Sequence, residues 1–386
     1  MRELITEELK RLEVGNLKRS LIVIEGPQGP RVRINGNPKI LLCSNDYLGL
    51  ANHPRLKEAA IRAIEKYGVG AGASRLVSGT MPPHALLEER IAAFKGAQAA
   101  LLFNSGYHAN LGVITAIAGR TADIFSDKLN HASIIDACVL SRANLTRYPN
   151  GDIFALESLL KRSKAKNKLI VTDGVFSMDG SIAPIDGLIT LLDRYNAFMY
   201  LDDAHATGVL GKTGRGTLEH FNIEHPSVIQ MGTLGKALGA FGAFVAGSKE
   251  LIALLVSKSR PFIFTTALPP AICAAATEAI DIIEAEPERR TRLWENIEFF
   301  KDGLKAAGLD YTKSATQIIP IITKDPNYTM QASRRLLEKG VFIQGIRPPT
   351  VPAGASRLRV TVSSTHTKED LTEALTKIIE VLGDGR

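Results

Sequence analysis

No apolar run among the 386 residues approaches the roughly 18–20 needed to cross a bilayer, so no membrane span and no membrane partner are expected. Cysteine is scarce. Cys43, Cys138 and Cys273 stand far apart among apolar or small neighbours, no CxxC pair occurs, and an odd count argues against a disulfide framework. All three read as small core residues, and no metal site is expected. The opening Met1-Arg2-Glu3-Leu4 has an acid where signal and transit peptides avoid one, which points to a soluble, cytoplasmic protein. Basic stretches interleaved with aromatics are missing, as is any module that reads bases, so a nucleic-acid partner is not expected. The net charge of +7 is modest for this length. Its clusters, Lys161 to Lys166 and Glu288 to Arg292, read as solvated helix faces, and the balance suits a phosphate-rich anionic substrate.

What is present is ordinary for a globular protein: 45% hydrophobic and 23% charged residues. The length favours one large and one smaller domain. A short amphipathic helix (Leu4, Ile5, Leu9, Leu12) leads through Gly26-Pro27-Gln28-Gly29-Pro30 into strand-like segments. From about residue 50 to 250 helices and strands alternate. Helices are expected over Leu56 to Lys66, His84 to Ile91 and Leu111 to Ile117, and strands at Ala99 to Phe103, Lys168 to Thr172, Ala197 to Leu201 and Val228 to Met231. This alternation predicts an α/β fold with a mostly parallel sheet and helices on both faces. After Pro269-Pro270 one long helical stretch is expected to about residue 305. Strands at Ile318 to Ile322 and Leu358 to Val362 and a last helix near Asp370 to Leu382 then make an α+β C-terminal part. The expected division is 1–45, 46–270 and 271–386.

The chemistry concentrates in two segments. Ala197-Phe198-Met199-Tyr200-Leu201 runs straight into Asp202-Asp203-Ala204-His205, as a buried parallel strand does when it delivers charged groups to the C-terminal edge of a sheet. Some thirty residues on, Thr233-Leu234-Gly235-Lys236 sets one lysine among Gly232, Gly235 and Gly239, where backbone can approach a ligand closely. A carboxylate for a pyridine nitrogen, an imidazole for a ring or its phenolic oxygen, and an amine for imine formation are what pyridoxal 5'-phosphate requires. Side chains alternate along a strand, so only one of Asp202 and Asp203 can face the cofactor. Ser105-Gly106-Tyr107-His108-Ala109-Asn110 follows a strand and opens a helix, whose first N–H groups make a phosphate site. His131, after another strand-like segment, can stack on an aromatic ring. Ser177 supplies a hydroxyl after the strand ending at Thr172. Two near-motifs read as turns. Ala206 to Thr213 nearly spells a nucleotide loop but lacks its leading glycine, and Gly68-Val69-Gly70-Ala71-Gly72 follows a helix instead of a strand.

Over nearly its whole length the chain resembles the α-oxoamine synthases, a branch of the fold-type-I pyridoxal-phosphate transferases. The resemblance rests on Ser44-Asn45-Asp46-Tyr47-Leu48-Gly49-Leu50, Gly72-Ala73-Ser74-Arg75, His131-Ala132-Ser133, Gly174 to Gly180, Asp202 to His205 and Thr233 to Lys236. It implies a homodimer with active sites at the subunit interface, joining alanine or glycine to an acyl-CoA or acyl-carrier thioester with release of CoA and carbon dioxide. By this resemblance Lys236 holds the cofactor and takes the α proton, Asp202 pairs the pyridine nitrogen, His205 meets the phenolic oxygen and His131 stacks on the ring. Gly106, Tyr107 and Thr233 hold the phosphate, Ser177 touches the cofactor, and Thr265 or Thr266 reaches the phosphate from the second subunit. Arg347 takes the amino-acid carboxylate with Asn45 nearby, and Thr350 lies on the same substrate side. Arg19, or Lys18 by residue type, meets the far end of the acyl chain. The stretch Ile346 to Gly354 is more similar to members that use alanine and a pimeloyl thioester. Acetyl transfer to glycine, or mixed acyl specificity, is the alternative.

Overall fold

The computed structural model describes residues 1–15, 17–312 and 314–383. Its strands are β1 (Arg31–Ile34), β2 (Asn37–Leu41), β3 (Ala99–Phe103), β4 (Ala122–Asp127), β5 (Asn144–Tyr148), β6 (Asn167–Asp173), β7 (Phe198–Asp202), β8 (Val228–Thr233), β9 (Ala243–Gly247), β10 (Ile318–Lys324), β11 (Val341–Phe342), β12 (Gln344–Ile346) and β13 (Ser356–Thr361). Seven of them form one sheet in the order β3-β9-β8-β7-β6-β4-β5. All its neighbours pair in parallel except β9, which runs antiparallel to both β3 and β8. Alternation of helix and strand could not foresee β9, because no helix separates it from β8. The chain turns back through residues 234–242 and pairs Ala243 with Thr233, and that turn carries Lys236.

The sheet is covered on both faces, which is why its strands read as continuous apolar runs. Leu169, Val171, Tyr200, Ile229 and Met231 pack on one face, with the helices Gly106–Ile117 and Ala132–Ser141. Ile170, Met199 and Leu201 pack on the other, with the helices Ile153–Arg162 and Ile185–Tyr195. The two sets alternate residue by residue, the period-2 geometry of a strand.

Two small sheets, β1-β2-β11 and β10-β13-β12, hold the rest. Because β2 pairs in parallel with β11, the N-terminal strands share a sheet with the C-terminal part of the chain. The expected single helix after Pro269 is two, Pro270–Ala285 and Glu288–Ala306. Glu286 leaves the helical region at φ −121 and ψ 64, as the residue before a proline tends to. The Glu288 to Arg292 cluster is not wholly a solvated face either. Arg290 is buried and donates to the carbonyls of Ile283 at 2.6 Å and Lys212 at 3.1 Å. Cys138 and Cys273 are buried and Cys43 half-buried, all as free thiols.

The end of β7 shows how alternation assigns its charges. Asp203 points to the face opposite Asp202 and pairs with Lys95 at 2.9 Å, both side chains fully buried. Its carboxylate also accepts from Thr217 N at 3.2 and 3.1 Å. Removing one partner strands a buried charge, which costs about 3–5 kcal/mol. Lys95→Ala is therefore expected to lower the free energy of unfolding by roughly that amount in denaturant titration. A loss under about 1 kcal/mol would show that the pair is not needed.

Candidate active site

Asp202 lies on the face of the sheet that meets the helix Gly106–Ile117. Its Oδ2 accepts from Asn110 Nδ2 at 2.9 Å and its Oδ1 from Ala204 N at 3.1 Å. Asn110 is held in turn by the buried Tyr200, whose hydroxyl donates to Asn110 Oδ1 at 2.7 Å. Tyr200 and Asp202 are two residues apart on β7, so one strand face supplies both. Asn110 Nδ2 also reaches Ser133 Oγ at 2.8 Å, and Ser133 Oγ is 2.7 Å from His131 Nδ1. A continuous hydrogen-bonded chain thus runs from the buried Asp202 to His131.

His131 is the N-cap of the helix Ala132–Ser141, accepting from Ser133 N at 3.3 Å. Its backbone N–H donates to Asp173 Oδ2 at 2.7 Å. The ring stays exposed on the site's open side. Desolvation lowers its pKa and Lys236 adds to the fall, against the pull of Asp202 and Asp136. Burial holds the Asp173 carboxyl well above the usual range, and the neighbouring Asp202 pushes it the same way.

Lys236 is half-buried on the turn between β8 and β9. Its pKa is lowered to about 8, mainly by burial, with Arg359 contributing and Asp202 and Asp173 opposing. Among the described residues its Nζ has no hydrogen-bond or ion-pair partner. Gly239, three residues on, anchors the turn. At φ +64, a Cβ there would stand 2.4 Å from the backbone of Leu50 and Ala51, so only glycine lets the loop close against the Ser44 to Leu50 segment.

That segment supplies the wall around His205. The His205 ring is buried, its Nδ1 is 2.7 Å from the Tyr47 hydroxyl, and its carbonyl accepts from Gln317 Nε2 at 2.8 Å. Burial drives its pKa well below the ordinary histidine value, and Lys236, Arg359 and His131 act in the same direction.

The phosphate candidates gather at the start of the helix Gly106–Ile117. Ser105 caps it through His108 N at 3.2 Å, which leaves the N–H groups of Gly106 and Tyr107 outside the helix's own bonds. A Cβ at Gly106 would come within 2.9 Å of Thr233 Cγ2, so this close approach also needs glycine. Thr265 and Thr266 meet Asn104, two residues before Gly106, in the same chain. Asn104 Nδ2 donates to Thr265 Oγ1 at 3.2 Å and to Thr266 O at 2.8 Å. The Tyr107 hydroxyl meets Asp136.

Arg347 and Arg359 take different places. Arg347 donates to Met330 Sδ at 3.1 Å, and the charges acting on it are those of Arg19 and Arg334. It therefore gathers with the residue expected at the far end of the acyl chain, on the exposed turn that also holds Thr350. The guanidinium of Arg359 reaches the site. It is buried, donates from Nε to Ser177 O at 2.6 Å, and makes only long contacts of 3.5 and 3.4 Å to Asn45 Oδ1 with its two remaining nitrogens. Its charge is felt by both Lys236 and His205. Arg357, two residues before it on β13, faces the same Gly174 to Gly180 loop through Asp179 at 2.6 Å. A period-2 reading of this edge could have singled out Arg359. Asn110, Ser133, Asp173 and Gln317 carried no such signal, because their partners are remote in sequence.

The donor set fits pyridoxal phosphate. An uncommitted amine with a lowered pKa, a carboxylate fixed by Asn110, a deprotonated buried imidazole and a helix N-terminus with free N–H groups all border the C-terminal edge of one sheet. Comparison with known proteins agrees. A family profile for aminotransferase class I and II matches residues 37–378. The chain belongs to that family and has its fold-type-I architecture. Among curated proteins, it is similar to the 8-amino-7-oxononanoate synthase of Geobacter sulfurreducens, 53% identical over 98% of this chain and 97% of that one. It is also similar to that of Thermoanaerobacter pseudethanolicus, at 50% over 99% and 97%. Among solved structures, Sphingomonas wittichii serine palmitoyltransferase superposes with a TM-score of 0.93 at 31% identity, covering 99% and 97%. The 8-amino-7-oxononanoate synthase of Francisella tularensis gives 0.78 at 32%, covering 90% and 98%. No helix among the described residues is long and apolar enough to cross a membrane.

The amine offers a direct measurement. In cofactor-free protein carrying 13C-methylated lysines, the Lys236 signal should titrate near pH 8. Asp202 raises that value, so Asp202→Asn should move the midpoint further down. A midpoint near an ordinary lysine's 10.4 would remove the basis for a reactive amine.

Proposed function

We propose that this protein is a pyridoxal-phosphate-dependent acyltransferase that condenses L-alanine with a pimeloyl thioester to 8-amino-7-oxononanoate, releasing CoA and carbon dioxide. The observation that carries the reading is the Lys236 amine, uncommitted and with its pKa lowered to about 8, between Asp202 and His205. The substrate pair is supported by the full-length relatives at 50–53% identity that share one name. When bound, pyridoxal phosphate supplies the electron sink that makes the bonds at an amino acid's α carbon labile.

The chain's own residues do the rest. Lys236 Nζ holds the cofactor and takes up the α proton, for which a pKa near 8 is well matched. Asp202, kept in place by Asn110, offers its carboxylate to the pyridine nitrogen. Gly106 and Tyr107 N–H groups, with Thr233, would receive the phosphate, Thr265 or Thr266 reaching it from a second copy, and Ser177 borders the same space. His131, capped on Ser133, covers the ring's open face. Arg359, beside Asn45, grips the amino-acid carboxylate, and a planar fork matches that group with two parallel bonds. Arg347 and Arg19, near each other, suit the distal carboxylate of the pimeloyl chain. Residues 46–270 form the part that holds the cofactor, and the two small sheets bring Asn45 and Arg359 to it.

A homodimer belongs to this reading. Phe241, on the Lys236 turn, is 55% exposed, and Phe264, next to Thr265, is 70% exposed. Apolar side chains bared beside the site suit burial by a second copy.

A CoA-release assay crossing alanine and glycine with pimeloyl- and acetyl-CoA tests the proposal. Alanine with pimeloyl-CoA should be fastest; faster turnover of glycine with acetyl-CoA would make the protein a glycine C-acetyltransferase instead. Arg359→Lys should raise the alanine KM roughly 10- to 100-fold, the worth of a charged hydrogen bond, while the bound cofactor's absorbance stays as in wild type. An unchanged KM would return the carboxylate to Arg347.

A further inference from the structure

A deprotonated imidazole carries one proton, and its position decides whether each ring nitrogen donates or accepts. In His205 that choice is made by Tyr47. The Tyr47 ring is 1% exposed, and its hydroxyl lies 2.7 Å from His205 Nδ1 and 3.0 Å from Asn45 Oδ1. A phenol has a single proton to give. Asn45 Oδ1 can accept that proton at 3.0 Å, but it also faces the two outer guanidinium nitrogens of Arg359 at 3.5 and 3.4 Å, whereas Nδ1 has no other partner and sits closer. Nε2 has none among the described residues. Gln317 Nε2 fixes the backbone at His205 O, and the ring itself is buried.

We infer that Tyr47 is a positioning residue that donates its phenolic proton to His205 Nδ1 and so keeps the His205 proton on Nε2, a hydrogen-bond donor aimed at the reactive site. The inference rests on the proposed function for its purpose, because the cofactor's phenolic oxygen is an acceptor and would be met by a donor. With the opposite tautomer, Nε2 would present a lone pair to that oxygen and repel it. The ring is ready for this role because the charges around it, Lys236, Arg359 and His131, all disfavour a second proton.

The test is 15N NMR of protein labelled at histidine, with and without pyridoxal phosphate, the His205 signals being identified by their loss in His205→Gln. Wild type should show Nε2 protonated and Nδ1 bare in both states. Tyr47→Phe, which removes one oxygen and keeps the ring, should let the Nε2–H share fall toward that of an unconstrained imidazole. With cofactor and substrates it should lower kcat about tenfold, as befits one lost hydrogen bond, with the alanine KM unchanged. A wild-type proton on Nδ1, or a Tyr47→Phe spectrum that keeps the wild-type share, would overturn the inference. The first of these needs no Tyr47 variant to fold. A wild type that takes up no pyridoxal phosphate would instead sink the proposed function, while the cofactor-free spectrum would still decide the tautomer.

Discussion

Two carboxylates end β7 side by side in the interior, and the site is organised around keeping them apart. A buried charge must find a partner or lose its charge, and strand geometry sends these two to opposite faces of the sheet. Asp203 takes Lys95 and becomes a fastening between the helix Pro82–Lys95 and the sheet. Asp202 takes no cation. Its bonds come from the neutral Asn110 and a backbone N–H, so its negative charge acts outward, on Lys236 and His131. Had the lysine at position 95 reached the other face, Asp202 would have nothing left to offer a cofactor.

The second dependence is on the Ser44 to Leu50 segment. Asn45, Tyr47 and Leu50 touch, in turn, Arg359 on β13, His205 after β7 and Gly239 behind Lys236. Three parts of the chain far apart in sequence are therefore registered against one short loop. Asp46 anchors that loop, accepting from Leu50 N at 2.8 Å and Ala51 N at 3.2 Å, and burial raises its pKa to about 6. Ser363 Oγ and Thr361 Oγ1 donate to carbonyls of the same loop at 3.0 and 2.7 Å. The small C-terminal sheet is thus tied directly to the loop that positions the reactive groups.

Electrostatics then sets the working state of each group. Burial lowers both the Lys236 and His205 pKa values, and Arg359 lowers both further. Asp202 and Asp173 limit the effect at Lys236. The amine ends near 8, able to give and take a proton at neutral pH, while the imidazole is left with one proton whose place hydrogen bonding can choose.

Much of this could be read from the chain alone. Apolar runs gave away β3, β6, β7 and β8, because a strand buried on both faces has to be apolar throughout. Charged or glycine-rich residues at strand ends marked Asp202, His205, Gly106 and Lys236, because such residues break those runs abruptly. The direction of β9, the break at Pro287 and the burial of Arg290 were not readable, since each depends on what the segment meets after the chain has turned back. The arginines show the limit most clearly. Arg347 carries a distinctive proline-rich context and Arg359 an ordinary strand one, yet Arg359 stands beside Asn45 and Ser177. Local sequence determined which residue types end each strand, for strand period and burial act over a few positions. Which arginine, which asparagine and which tyrosine meet the reactive groups was decided only by tertiary structure, because hydrogen bonds between residues up to 314 positions apart form only once the sheets have packed.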